Sequence, residues 1–177
     1  MLFRSKKLYQ AITGFGFGRT TGSGLPGEIK GIVNPLKQWN PIFSPTSVPM
    51  GQEVAVTPIQ MSRAFCTLAN GGLSVTPSIR AREASDAGRT APILERAISR
   101  KAADITKGAL RRVVIEGTGK LANSPLYEIF GKTGTAQVPD RKNGGYLPGA
   151  YVGSFVCGAP LDDPQVVVIC EIGRAHV

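Results

Sequence analysis

The residues best equipped for chemistry in this chain form one run, Gly131-Lys132-Thr133-Gly134-Thr135-Ala136. It places a cation, two hydroxyls and a glycine after a strand-like segment, Leu126 to Phe130. Such a set can grip a substrate carboxylate while the edge of a strand offers main-chain hydrogen bonds to an extended peptide. Thr133 and Thr135 are two apart, so on a strand they project to one face, and Lys132 and Gly134 share the other. Lys132 then needs the local twist or bulge of an edge strand to reach the same cleft. Gly134, with no side chain, fits close packing behind the site. A further polar candidate is Gln52, in a Gly51-Gln52 loop, which reads either as cleft-lining or as ordinary loop structure.

Other chemistry is missing. No serine has a lysine three places on, and no Ser-x-Asn or Tyr-x-Asn occurs. A serine nucleophile needs its base within hydrogen-bond reach, so these residues alone are not expected to acylate. The only histidine is His176, and Cys66, Cys157 and Cys170 sit singly among apolar neighbours. No metal site and no cofactor is expected from that set; the cysteines read as small buried hydrophobes. The alternation Gly14-Phe15-Gly16-Phe17-Gly18 admits a phosphate-cradling loop. No strand precedes it, and the competing reading is a tight loop with both phenylalanine rings in the core.

The elements that must position Lys132 to Thr135 can be read from pattern and punctuation. Lys6 to Thr13 has a short helical pattern, Leu25-Pro26-Gly27-Glu28 is a turn, and residues 30–50 read as irregular coil around Trp39. Thr57-Pro58 opens the clearest helix, with Ile59, Met61, Ala64, Phe65, Leu68 and Ala69 on one face and Asn70-Gly71-Gly72 at its end. Arg63 reads as surface. A short strand is expected over Leu73–Thr76 and a surface loop over 80–93. A second long helix runs from Ile98 to Glu116, capped by Ser99, with Ala102, Ile105, Ala109, Leu110, Val113 and Val114 inward. Gly117-Thr118-Gly119 stops it. Three strands follow, Tyr127–Val138, Ala150–Ala159 and Gln165–Glu171, with a loop at 139–149 and a hairpin turn at Pro160–Pro164. Helices first and an antiparallel meander last predict an α+β fold with helices packed on a sheet.

The bulk numbers agree with a folded domain. The chain has 177 residues, 42% hydrophobic and 19% charged. Its formal charge of +9 is scattered, with one half-cluster at Arg96–Arg112 that reads as a solvated helix face. Attraction to an anionic envelope surface or to nucleic acid is the alternative. Basic and aromatic residues are not interleaved, so nucleic acid is not an expected partner. No apolar run approaches the roughly 18–20 residues of a membrane helix, and no signal peptide is visible.

Several segments together resemble one family, the class B penicillin-binding proteins. Phe15-Gly16-Phe17-Gly18 with Thr21-Gly22 and Leu25-Pro26-Gly27-Glu28 resembles the stretch after their second active-site motif. Met50-Gly51-Gln52 with Val56-Thr57-Pro58-Ile59-Gln60 and Leu68-Ala69-Asn70-Gly71-Gly72 resembles their glycine-glutamine loop and the helix after it. Val113-Val114 with Gly117-Thr118-Gly119 is similar to the end of their penultimate helix. Lys132-Thr133-Gly134-Thr135-Ala136 is similar to their third active-site motif. Tyr151 to Phe155 and Val166 to Ile169 resemble the two strands after it.

The resemblance implies a serine D,D-transpeptidase that cross-links peptidoglycan stem peptides ending in D-Ala-D-Ala and is acylated by β-lactams. It implies that Lys132 and Thr135 belong to the catalytic machinery and that Lys132, Thr133, Gly134 and Thr135 bind substrate. The Thr135 hydroxyl would bond the carboxylate and its N–H would serve the oxyanion hole. The fold implied is a partial β-lactamase/transpeptidase-like one, with the three C-terminal strands present and the N-terminal strands and final helix missing. The reactive serine, its lysine and the middle motif are then expected upstream of Lys6. The family also implies an N-terminal membrane anchor, an extracytoplasmic catalytic domain and partners among cell-wall synthesis proteins. A D,D-carboxypeptidase or β-lactamase on the same fold, or a non-catalytic β-lactam sensor, are the alternatives. Residues 1–5 and 172–177 match the two strands of a common sequencing adapter, so 6–171 is the expected natural segment, the C-terminal portion of the transpeptidase domain.

Overall fold

The computed structural model describes residues 2–79, 95–140 and 142–175. The chain divides into two compact units, Met1–Ala103 and Asp104–Val177. Among the described residues no helix is long and apolar enough to cross a membrane.

In the first unit, helix α1 spans Leu2–Gly14, longer at its start than the Lys6–Thr13 pattern. Tyr9 on it meets Trp39 edge to face, with ring centroids 5.9 Å apart. The Trp39 indole N–H donates to the Asn34 carbonyl at 2.9 Å. Residues 30–50 are more ordered than coil. Strand β1, Ile32–Val33, pairs antiparallel with β2, Val54–Ala55, and helix α2, Ser44–Ser47, lies between them in sequence. Two-residue strands carry no readable alternation, which is why the pattern does not show them. Phe15 and Phe17 are half-buried rather than wholly in the core.

Helix α3, Pro58–Ala69, has the expected boundaries because both ends are chemically marked. The Thr57 hydroxyl accepts from the Gln60 N–H, and the Gln60 side chain accepts in turn from the Thr57 N–H at 2.9 Å. Gln60 is 1% exposed, and its Nε2 donates to the carbonyls of Arg19 at 2.7 Å and Lys30 at 2.9 Å. This one side chain ties the helix start to two loops. Arg63 is not a free surface residue: its Nε donates to the Val75 carbonyl at 2.8 Å and its Nη2 to the Ser74 hydroxyl at 2.9 Å. Partial burial, with the charge of Arg19 nearby, pulls its pKa down. The strand expected over Leu73–Thr76 reduces to a single bridge between Leu73 and Arg96. The loop expected at 80–93 lies outside the described residues.

Helix α4, Arg100–Ile115, starts in the first unit and continues in the second. Ser99 caps it, accepting from the Ala102 N–H at 3.2 Å. Of the residues expected inward, Val114 is buried and Ala102, Leu110 and Val113 are half-buried, but two are not covered. Ala103, Lys107 and Val114 are buried, Ile105 is 64% exposed and Ala109 is exposed. The displaced stripe follows from Lys107. Its aliphatic stem is covered while the ammonium donates to the Leu161 carbonyl at 3.3 Å and faces Asp104 at 3.5 Å.

The second unit ends in a three-stranded antiparallel sheet of β3, Phe130–Pro139; β4, Tyr146–Ala159; and β5, Val166–Ala175, in that order. β3 starts three residues later than expected, since Leu126 closes a local turn on the Ser124 hydroxyl at 3.1 Å and Tyr127 is 60% exposed. β4 starts four residues earlier than expected, so the intervening loop is shorter. Asp140 organises that loop: its carboxylate accepts from the Lys142 and Asn143 N–H groups and from Asn143 Nδ2. β5 continues past Glu171, pairing Ile172 with Gly153 and Ala175 with Tyr151. Helices followed by a terminal antiparallel meander make the chain α+β, as its pattern predicts.

Candidate active-site strand

Lys132, Thr133, Gly134 and Thr135 all lie on β3, and among the described residues β3 is an edge strand, paired with β4 on one side only. The register through the motif is unbroken, with Lys132 opposite Val156, Thr133 opposite Phe155, Gly134 opposite Ser154 and Thr135 opposite Gly153. The first irregularity comes later, between Gln137 and Pro139. No bulge therefore brings Lys132 round to the threonine side. Its four-carbon stem does so instead. The Lys132 Nζ donates to the Thr133 carbonyl at 2.8 Å and stands 3.4 Å from the Thr133 hydroxyl. Lys132 and Thr135 are exposed, and Thr133 and Gly134 half-exposed.

Glycines on both strands let the sheet close around this motif. A Cβ on Gly131 would stand 2.7 Å from the Phe155 ring, 2.8 Å from the Val156 carbonyl oxygen and 2.9 Å from the Cys157 Cβ. A Cβ on Gly158 would meet the Phe130 ring. Each strand thus lays a phenylalanine over a glycine of its neighbour. Phe130 itself is fully buried. The Ser154 hydroxyl fills the place a Cβ on Gly134 would take, 2.5 Å from it. The close packing expected behind Gly134 is therefore made by a hydroxyl on the adjoining strand.

A residue read in the sequence only as a helix stop joins the group. Thr118 follows α4, and its hydroxyl oxygen lies 2.6 Å from that of Thr133. Gly117 and Gly119 flank it, and both of their N–H groups donate to the Val113 carbonyl, each at 3.0 Å. A Cβ on Gly119 would reach within 3.4 Å of the Phe155 ring. Proximity across 15 positions leaves no mark in local sequence; the Gly-Thr-Gly run was the only signal available. Arg111 anchors the approach to β3, its Nη1 donating to the Ile129 carbonyl at 3.0 Å.

Gln52 lies in the first unit, half-exposed, where its N–H donates to the Ser47 carbonyl at 3.1 Å. Its loop is sharply turned. Gly51 has φ of 87° and Glu53 has φ of 61°, and the Glu53 carboxylate accepts from the hydroxyls of Ser44 and Ser47. Among the described residues, no three histidine, cysteine, aspartate or glutamate side chains gather where a metal ion could be held.

Comparison with known proteins gives this geometry a family. Residues 3–176 match the penicillin binding protein transpeptidase domain. The chain belongs to that family. It is 41% identical over 174 residues to stage V sporulation protein D of Bacillus subtilis, covering 94% of this chain and 26% of that protein. It is 36% identical over 175 residues to penicillin-binding protein PbpB of Mycobacterium tuberculosis, covering 92% of this chain and 26% of that one. The chain thus spans about a quarter of the length of these curated relatives. Among solved structures, it superposes with a TM-score of 0.84 on penicillin-binding protein 3 of Mycobacterium tuberculosis in complex with ampicillin, at 34% identity over 96% of this chain and 40% of that one. It superposes with a TM-score of 0.85 on the transpeptidase domain of Burkholderia pseudomallei penicillin-binding protein 3, at 28% identity over 97% of this chain and 50% of that one.

Proposed function

We propose that the intact protein containing this chain is a serine D,D-transpeptidase of peptidoglycan synthesis, and that β3 is the substrate-gripping side of its cleft. The observation that supports this is the joint presence of the Lys132 ammonium and the Thr133 and Thr135 hydroxyls on a strand edge free of β4, in a chain of the penicillin-binding transpeptidase family. Lys132 supplies positive charge for the terminal carboxylate of a stem peptide and helps shape the proton path. The Thr133 and Thr135 hydroxyls bond that carboxylate. The Thr135 N–H is one of two donors to the oxyanion that forms when a serine oxygen attacks the penultimate D-alanine carbonyl. One such donor contributes about 3–4 kcal/mol of transition-state stabilisation. The terminal D-alanine leaves as an amine, and the acyl group passes to an amine on a neighbouring stem. The peptide lies along β3 by strand addition.

The serine nucleophile, its lysine base and the middle motif come from sequence other than these 177 residues, since no serine here has the required neighbours. β-Lactams acylate the same serine. A membrane anchor and a catalytic domain on the outer face of the membrane belong to the same reading.

The test is covalent labelling of the intact gene product with fluorescent penicillin. Stable labelling, blocked by Lys132→Gln, is the expected result. No labelling sinks the proposal, and rapid hydrolysis of the adduct replaces it with a β-lactamase.

A further inference from the structure

We propose that Thr118 is a positioning residue that aims the Thr133 hydroxyl at the substrate carboxylate. This rests on the reading of Thr133 as a carboxylate ligand. A threonine hydroxyl has one proton to give and two lone pairs to fill. Around Thr133 Oγ1 stand the Lys132 Nζ at 3.4 Å, which can only donate, and the Thr118 Oγ1 at 2.6 Å, which can do either. When Thr118 donates, both lone pairs of Thr133 are engaged and its proton is left for an incoming acceptor. When no acceptor is present, Thr133 turns its proton to Thr118. Thr118 therefore keeps the hydroxyl paired in the empty site and releases its proton to a carboxylate.

The backbone that carries Thr118 is held on both sides. The neighbouring amides of Gly117 and Gly119 are both held by the Val113 carbonyl. A Cβ on Gly117 would stand 2.9 Å from that same oxygen, so the turn admits no bulkier residue there without moving. A Cβ on Gly119 would stand 3.4 Å from the ring of Phe155, the residue directly opposite Thr133 in the β3–β4 register. The turn and the strand are thus indexed to each other through one aromatic ring. The backbone on either side of the 2.6 Å contact is thereby held, although Thr118 itself is exposed.

The experiment compares acylation of the intact gene product by benzylpenicillin and by its methyl ester, which has no free carboxylate. Thr118→Val keeps the shape and removes the hydroxyl. It is expected to slow acylation by benzylpenicillin about tenfold, the scale of one hydrogen bond, and to change the ester rate less than about twofold. Thr118→Ser restores the acid rate. Equal slowing with both compounds, or no change with either, overturns the proposal, because a structural role does not distinguish acid from ester. Thr133→Val is run beside them. If it too treats acid and ester alike, the carboxylate reading itself fails; if it discriminates and Thr118→Val does not, only the role of Thr118 fails.

Discussion

The ring of Phe155 occupies the space that a Cβ at Gly131 would require, 2.7 Å from where that atom would be. Because the Val156 carbonyl crowds the same point at 2.8 Å, the neighbour that must give way is partly backbone. Gly131→Ala is therefore expected to prise β3 from β4 just before Lys132 and to destabilise the fold by about 1–3 kcal/mol. Thermal melting measures the loss. Adding Phe155→Leu should recover only part of it, since the carbonyl remains; full recovery would show the ring to be the whole obstacle.

Thr135→Ala keeps the main-chain N–H and removes the hydroxyl. Acylation of the intact protein by benzylpenicillin should fall about ten- to a hundredfold, the range for one hydrogen bond to a charged group, with protein stability unchanged. Rates as high as those of the parent protein would remove Thr135 from the carboxylate site.

Gln60 and Thr57 separate a cap from a tie. Thr57→Ala removes one end of the capping box and should cost about 1 kcal/mol. Gln60→Leu also removes the bonds to the part-buried carbonyls of Arg19 and Lys30, each worth about 0.5–1.5 kcal/mol, so its melting temperature should drop further. Equal effects from the two substitutions would mean that the tie to the loops carries no weight.

The Glu28 carboxylate accepts from the Thr21 hydroxyl and N–H, each at 2.6 Å, which holds its pKa below the ordinary 4.5. A carboxyl with a lowered folded pKa contributes stability that is full above its ordinary value and lost as pH falls through the folded one. Stability curves from about pH 2 to 6 should therefore be flatter for Glu28→Gln than for the parent protein at their acid end. Parallel curves would show the carboxylate to be uncoupled from folding.

Cys170 is exposed, whereas burial pushes the thiols of Cys66 and Cys157 up. Iodoacetamide should modify Cys170 first in the native protein and all three at similar rates in denaturant, as read by peptide mass mapping. Native labelling of Cys66 as fast as Cys170 would contradict the described packing of α3.

What the sequence made legible was local and punctuated. Thr57-Pro58 and Asn70-Gly71-Gly72 define α3 to the residue because caps act over one turn. The Lys132 to Thr135 run could be found because its members are adjacent in the chain. What it hid was long-range or disguised. The inward stripe of α4 is misread at Ile105 and Ala109, where Lys107, counted as polar, buries its stem instead. β1 and β2 are too short to alternate. The Thr118–Thr133 contact exists only once a helix end has been set against a strand.

The two amides that share the Val113 carbonyl also bear on motion. Helix ends fray readily, and local opening there ordinarily concerns the helix alone. In this chain the Val113 carbonyl accepts from both glycines around Thr118, so an opening that turns that carbonyl away frees both amides at once. The turn that carries Thr118 therefore opens with the end of α4 and not apart from it.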